Sequence, residues 1–143
     1  MQIINNDILL IQEGIICHQV NCMGKMGAGI ALALRKKWPQ VYTDYMKAYE
    51  LNQLRLGQVV FTTIVPDQLI VANLCGQYRY GRDKRYTDYS ALERCLVSVV
   101  NYNSNLPVYI PYRMGCGLAG GSWEMVSAIV NNIIPNAIVV MKG

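Results

Sequence analysis

Residues 15–37, IICHQVNCMGKMGAGIALALRKK, contain the unit that decides the fold. The apolar run from Ile15 to Val20 has the length and composition of a buried strand. A glycine-containing loop follows, and the residues from Ala28 to Lys37 are good helix formers with basic side chains in the last turn. A strand, a glycine-rich loop and a helix in this order are typical of an α/β fold.

The rest of the chain repeats this alternation of strands and helices. We predict strands at residues 3–4, 8–11, 107–110 and 137–141, and a hairpin formed by residues 57–64 and 69–75. We predict further helices that begin at Pro39 and at the N-caps Thr87 and Ser122. Helices on both faces of the sheet and one hairpin within it predict a three-layer α/β/α sandwich whose central sheet is mixed and mostly parallel.

Length and composition restrict the class of protein. The chain has 143 residues, of which 52% are apolar and 15% charged, against a usual charged share of about 25%. These values predict one compact domain over residues 1–143 and exclude a disordered or coiled-coil protein. Because no apolar run approaches the roughly 20 residues that span a bilayer, and the N-terminus lacks the pattern of a signal peptide, we expect a cytoplasmic protein that does not bind membranes.

The net charge of +4 is compatible with a small anionic ligand, but it is too low and diffuse to indicate nucleic acid. The five cysteines contain no C-x-x-C pair and the chain has a single histidine, so neither a disulfide framework nor a metal site is expected. Cys17, Cys75 and Cys95 lie in apolar runs, and we predict that they belong to the core. Cys22 and Cys116 lie in loops, and we interpret both as small packing residues.

Two glycine-rich loops, Gly24–Gly29 and Gly115–Gly121, each stand between a predicted strand and a predicted helix. Glycine allows backbone N–H groups to approach an anion closely, and the following helix N-terminus adds positive potential. Two such loops predict a site for a diphosphate, although each glycine could instead serve a tight turn. The Walker A pattern is absent, and the G-x-G-x-x-G at positions 115–120 lacks the later carboxylate of a dinucleotide-binding unit.

Three stretches of this sequence resemble macro domains. Residues 18–31, HQVNCMGKMGAGIA, are similar to the first ligand loop of that family, and residues 111–118, PYRMGCGL, with Trp123 are similar to the second. Asn6-Asp7-Ile8 matches the family's Gly-Asp-hydrophobe with Asn6 in place of glycine. The phrases M-G-A-G-I-A and G-C-G-L resemble the branch that holds the terminal ADP-ribose protein glycohydrolase and the ADP-ribose-1″-phosphate phosphatases.

This resemblance implies a crevice at the strand ends that binds ADP-ribose. It makes Asp7 the acceptor for the adenine amino group and Asn21 a contact to the distal ribose, whereas the residues alone leave open that both merely stabilise turns. Residues 27–30 would hold the distal ribose and a phosphate, and residues 115–118 would surround the diphosphate. The predicted ligand-binding residues are Asp7, Ile8, Asn21, Met26, Gly27, Ala28, Gly29, Ile30, Arg113, Met114, Gly115, Cys116, Gly117, Leu118 and Ala119.

The catalytic residues of the related glycohydrolase are not retained. That enzyme uses a lysine after a central strand, where this chain has Cys75-Gly76-Gln77, and an aspartate just after G-C-G-L, where this chain has Ala119. His18 occupies the position of a histidine in the phosphatases, so we predict that His18 acts as acid, base or nucleophile and that Asn21 orients the distal ribose. The alternative is that His18 is a core histidine hydrogen-bonded to the backbone.

Residues 78–86, YRYGRDKRY, form the densest basic segment. This segment is interpreted as a lid over an anionic ligand, as a platform for single-stranded nucleic acid, or as an ordinary solvated loop. Its small size and the low net charge of the chain favour the first and the last of these.

The sequence therefore predicts a monomeric macro domain without a cofactor that binds ADP-ribose or a related nucleotide. The predicted reaction is removal of the terminal phosphate of ADP-ribose-1″-phosphate. The alternatives are a reader or sequestering module for free or protein-linked ADP-ribose, and a de-ADP-ribosylating hydrolase with a non-standard site.

Overall fold

The computed structural model describes residues 1–103 and 105–143. In this part of the chain the strands are β1 (Gln2–Asn5), β2 (Gly14–Asn21), β3 (Val59–Val65), β4 (Leu69–Gln77), β5 (Val108–Pro111) and β6 (Ile138–Met141). The α-helices are α1 (Gly29–Lys37), α2 (Pro39–Glu50), α3 (Tyr89–Tyr102) and α4 (Trp123–Ile133). None of the helices in the described ranges is long and apolar enough to cross a membrane.

All six of these strands belong to one sheet in the order β1-β6-β5-β2-β4-β3. Neighbouring strands are parallel except for β3, which pairs antiparallel with β4 through the predicted hairpin. Two buried clusters lie on opposite faces of the sheet, one built with α3 and α4 and the other with α1 and α2. The prediction of a three-layer α/β/α sandwich with a mixed, mostly parallel sheet is confirmed.

The predicted strand over residues 8–11 is wrong, because Ile8–Leu10 form a single turn of 3₁₀ helix. The side chain of Asp7 causes this turn, since its Oδ1 accepts a hydrogen bond of 2.9 Å from the backbone N–H of Leu9. The backbone N–H of Leu10 then bonds the Asp7 carbonyl at 2.9 Å. A short apolar run after an Asn-Asn-Asp sequence cannot be assigned by periodicity alone.

The predicted N-cap of α3 is also wrong by one residue. Asp88, and not Thr87, accepts a hydrogen bond of 2.9 Å from the backbone N–H of Ala91. The hydroxyl of Thr87 instead donates to the carbonyl of Gly115 at 2.6 Å, so it connects the start of α3 to the second glycine-rich loop. Ser122 does occupy the N-cap position of α4, but its side chain makes no capping hydrogen bond.

Replacing Asp88 by alanine should lower the free energy of unfolding by about 1 kcal/mol, because an orphan N–H of α3 loses its acceptor. Chemical denaturation of the wild-type protein and the variant measures this loss. Glu93→Ala is the matched control, since Glu93 is an exposed carboxylate of the same helix and caps nothing. Equal loss in the two variants would contradict the assignment of Asp88 as the cap.

Candidate functional site

The carboxyl ends of the central strands meet at one edge of the sheet. β2 ends at Asn21, which pairs in register with Gln77 at the end of β4, and β5 ends beside them at Pro111. The two glycine-rich loops follow β2 and β5, and together they enclose a cavity of about 630 Å³. Crevices at the carboxyl ends of parallel strands are the usual ligand sites of open α/β sheets.

Most of the predicted site residues line this cavity. They are His18, Asn21, Met26, Gly27, Ala28, Gly29, Ile30, Arg113, Met114, Gly115, Gly117, Leu118 and Ala119. Asp7, Ile8 and Cys116 are not among the lining residues.

Asp7 does not line the cavity and lies at the start of the 3₁₀ turn. Its Oδ2 is 3.1 Å from the Nζ of Lys142, whose side chain is exposed. The hydrogen bond from Leu9, together with the ammonium of Lys142, holds the pKa of Asp7 below its usual range. Asp7 is therefore an anionic acceptor near the surface, and its proposed contact with adenine stays a prediction.

The two loop cysteines belong to the core. Cys22 packs in the cluster on the α1/α2 side of the sheet, and Cys116 packs in the cluster on the α3/α4 side. Burial raises the pKa of the Cys116 thiol, which donates a weak hydrogen bond to the carbonyl of Met114 at 3.4 Å. Neither cysteine lines the cavity.

Asn21 fixes the shape of the first glycine-rich loop. Its Oδ1 accepts from the backbone N–H of Met23 at 2.9 Å and from the hydroxyl of Tyr45 at 3.0 Å. Its Nδ2 donates to the carbonyl of Lys25 at 2.8 Å. The second hydrogen on Nδ2 has no protein partner in the described chain, so it remains available to a ligand.

The glycines of the two loops serve different purposes. Gly115 has φ of +75°, and a Cβ on Gly121 would lie 2.5 Å from the Gly115 carbonyl oxygen, so the fold itself requires glycine at both positions. Gly27 and Gly117 have no left-handed φ, and a Cβ built on either of them meets nothing within 4 Å. Both line the cavity. Packing within the fold therefore does not require glycine at Gly27 or Gly117, and the space beside both backbones is open.

The cavity wall carries positive charge. Lys25, Arg82 and Arg113 line it, and no aspartate or glutamate among the described residues does. Arg113 has φ of +63°, a strained backbone conformation for a residue with a side chain. The site is therefore electropositive and suited to an anion.

His18 lies in the wall of the cavity and is 2% exposed. Its Nε2 is 2.5 Å from Oδ1 of Asn73. Burial lowers the pKa of His18 to about 4, although the hydrogen bond with Asn73 opposes this shift. The imidazole is therefore neutral at physiological pH.

Several lining residues were not predicted from the sequence. Gln77 lies here because β4 is two residues longer than predicted and ends level with β2. Gln19 donates from Nε2 to Gln77 and to Thr87, both at 2.9 Å, on the side of the second loop. The alignment of parallel strand ends is the signal that would have identified Gln77. The others are Val20, Lys25, Ala31, Pro111 and Tyr112.

The basic segment 78–86 contributes to the cavity through Tyr80, Gly81 and Arg82. Tyr80 is 55% exposed, so its ring stands at the mouth of the cavity and not in the core. This position agrees with the interpretation of the segment as a lid. No group of three or more histidine, cysteine, aspartate or glutamate side chains that would hold a metal ion occurs in the described ranges.

Burial of neutral His18 should make the protein less stable in acid. The unfolded chain takes up a proton on this histidine below about pH 6.5 and the folded chain only near pH 4, so stability falls between these values. His18 contributes about 3 kcal/mol to the loss of unfolding free energy from about pH 7 to about pH 4. His18→Phe should lack this contribution. Denaturation of both proteins at a series of pH values measures it, and parallel pH profiles would refute a depressed pKa.

Comparison with known proteins gives a consistent family match. A model of the macro domain family matches residues 17–130. The chain is 28% identical over 140 residues to an uncharacterized 17.5 kDa protein of Enterobacteria phage T4, and this match covers 90% of this chain and 86% of the phage protein. It is 29% identical over 126 residues to a DNA ADP-ribosyl glycohydrolase of Mycobacterium tuberculosis, of which 35% is covered against 85% of this chain. The chain thus spans about a third of the length of that glycohydrolase.

Solved structures share the fold. A protein of unknown function from Bacteroides thetaiotaomicron is 32% identical, with a TM-score of 0.89 over 99% of this chain and 97% of the other. The Thermosipho africanus DarTG in complex with ADP-ribose is 18% identical, with a TM-score of 0.79 over 99% of this chain and 41% of the other.

Proposed function

The chain belongs to the macro domain family, and on this premise we propose that its cavity binds an ADP-ribose moiety. The observation that carries this proposal is the open space at Gly27 and Gly117, where the fold itself does not require glycine. Backbone N–H groups at these positions can approach a phosphate without obstruction by a side chain. Because the two glycines lie on opposite loops, they suit the two phosphates of a diphosphate.

The charge of the wall supports the same ligand. Lys25, Arg82 and Arg113 face a region without a carboxylate among the described residues. A diphosphate brings negative charge to this wall, whereas a neutral or cationic ligand would gain nothing from the cations. The ligand in the solved DarTG complex is ADP-ribose.

We assign the adenine end of the ligand to Asp7. In the ion pair between Asp7 and Lys142 the lysine side chain is exposed and the carboxylate is half-buried, and ion pairs with such access to solvent contribute little stability. The adenine amino group can therefore replace Lys142 as the hydrogen-bond donor to the carboxylate at small cost. Ile8, whose side chain is buried beside it, would pack against the base.

For hydrolysis we propose removal of the terminal phosphate of ADP-ribose-1″-phosphate. His18 is the imidazole among the lining residues, and burial lowers its pKa so that it is unprotonated at neutral pH. His18 would take a proton from water while the water oxygen forms a bond to phosphorus and the bond from phosphorus to the 1″ oxygen breaks. That oxygen takes the proton back from His18, and Asn21 holds the distal ribose in place.

The relatives named as DNA ADP-ribosyl glycohydrolases favour a second candidate, removal of ADP-ribose from an adduct. Gln77 and Ala119 supply neither the lysine nor the aspartate of the glycohydrolase to which the sequence is similar. A glycohydrolase reaction in this cavity would therefore need a different route, and binding without turnover is the remaining alternative. A protein or nucleic acid that carries the ADP-ribose covalently would extend out of the cavity through the mouth beside Tyr80.

Calorimetric titration with ADP-ribose tests the binding proposal. Gly117→Val should weaken binding at least about tenfold, because the new side chain fills the space assigned to a phosphate. The unfolding free energy should change little, since nothing lies within 4 Å of the new Cβ. Thr63→Val, at an exposed position of β3 that does not line the cavity, is the control. Absence of heat for the wild-type protein at millimolar ADP-ribose would refute the proposal.

Phosphate release from ADP-ribose-1″-phosphate tests the proposed reaction. The wild-type protein should release phosphate, and His18→Phe should lower the rate by about a hundredfold or more, as expected for loss of a general base. ADP-ribose formation is measured in the same samples as the second product. Equal rates in the two proteins would remove His18 from the chemistry, and no release by the wild type would refute the phosphatase and leave the adduct hydrolase and the binding module as candidates.

A further inference from the structure

A row of three polar groups crosses the sheet beneath the first glycine-rich loop. His18 of β2 pairs in register with Asn73 of β4, and Asn73 pairs with Val60 of β3. Asn73 Nδ2 donates to the carbonyl of Val60 at 2.8 Å, while Asn73 Oδ1 lies 2.5 Å from His18 Nε2. Asn73 is fully buried, so water does not compete for these bonds.

The row determines which nitrogen of His18 carries the hydrogen. A carbonyl oxygen only accepts hydrogen bonds. The atom of the Asn73 side-chain amide that faces the Val60 carbonyl must therefore be the nitrogen, which donates. The Asn73 oxygen therefore faces His18, and because this oxygen also only accepts, Nε2 must be the protonated nitrogen. In the neutral ring, Nδ1 is then left with a lone pair and no hydrogen.

Nδ1 of His18 has no hydrogen-bond partner in the described chain, although it is buried. A buried acceptor without a partner is unfavourable, and such atoms in native proteins need an explanation. The ring lies in the wall of the cavity, where a ligand could supply the missing donor.

We propose that Asn73 is a positioning residue that keeps His18 protonated on Nε2, and that Nδ1 accepts a hydrogen bond from a hydroxyl of the distal ribose. This inference rests on the proposed binding of ADP-ribose. Asn21, three residues further along β2, lines the same cavity, and one hydrogen of its Nδ2 has no protein partner in the described chain. A donor from Asn21 and an acceptor from His18 match a sugar, whose hydroxyl groups both accept and donate.

The contact belongs to the complex with ADP-ribose, because the single lone pair of Nδ1 would instead face the attacking water when ADP-ribose-1″-phosphate is bound. It forms with ADP-ribose itself, whether or not the chain removes a phosphate. It also gives the site a means of recognising the distal ribose, because ADP contains the same adenosine and diphosphate but no hydroxyl at this position.

Nitrogen NMR of protein labelled with ¹⁵N-histidine tests the role of Asn73. His18 is the single histidine, so the two ring nitrogens give the only imidazole signals. At neutral pH we expect a hydrogen on Nε2 and none on Nδ1. Asn73→Leu, which has a similar shape without polar atoms, should give a mixture of the two forms. A hydrogen on Nδ1 in the wild-type protein would overturn the proposal, and so would an unchanged single form in Asn73→Leu.

Titration with ADP and with ADP-ribose tests the role of Nδ1. His18→Phe should weaken ADP-ribose binding by about five- to tenfold, the loss of one hydrogen bond, and leave ADP binding unchanged. ADP-ribose, but not ADP, should shift the Nδ1 signal of the wild-type protein. This second measurement decides the question even if His18→Phe does not fold.

The outcomes separate this inference from the function on which it rests. Equal weakening for ADP and ADP-ribose in His18→Phe, or an Nδ1 signal that ADP-ribose leaves unchanged, would overturn the hydroxyl contact alone. If neither nucleotide binds the wild-type protein, the proposed function fails as well, and the NMR result at Asn73 then stands as a purely structural finding.

Discussion

The hydrogen bonds of Asn21 fix the conformation of the first glycine-rich loop, and this loop forms part of the cavity wall. Asn21 is the last residue of β2, and its side chain closes the following loop. The hydroxyl of Tyr45 shares its single hydrogen between the backbone carbonyl of Asn21, at 2.6 Å, and the Oδ1 of Asn21, at 3.0 Å. Tyr45 is fully buried in the α1/α2 layer, so the loop is attached to the core and not only to itself. Because glycine-rich segments lose much conformational entropy when they are ordered, this attachment helps to keep the loop in one conformation in the cavity wall.

The second loop is attached to the opposite layer by different chemistry. The carbonyl of Gly115 accepts from the hydroxyl of Thr87, and also from the backbone N–H of Gly121 at 2.9 Å. Gln19, on β2, donates to the same hydroxyl. One strand thus connects both loops, since Gln19 supports the second loop and Asn21 supports the first.

Short sequence patterns predicted the elements of the fold whose structure depends on neighbouring residues in the chain. The β2–loop–α1 unit was predictable because a continuous apolar run, closely spaced glycines and a run of helix formers stand together in the sequence. The 3₁₀ turn at Ile8 was not, because one side-chain bond from Asp7 decides between two conformations that suit the same apolar residues. The N-cap of α3 was placed one residue early, because Thr87 and Asp88 are both good caps and only the distant Gly115 distinguishes them.

The least predictable parts of the site are those that depend on register between distant strands. His18 and Asn73 are 55 residues apart, and nothing near either residue indicates that they are paired. The sequence left His18 with two interpretations, a core residue and a site residue, and the geometry shows why neither excludes the other. One nitrogen of the ring is satisfied inside the sheet, and the other remains unpaired in the wall of the cavity. A neutral imidazole divided in this way can stabilise the fold through Nε2 and still be free to contact a ligand through Nδ1.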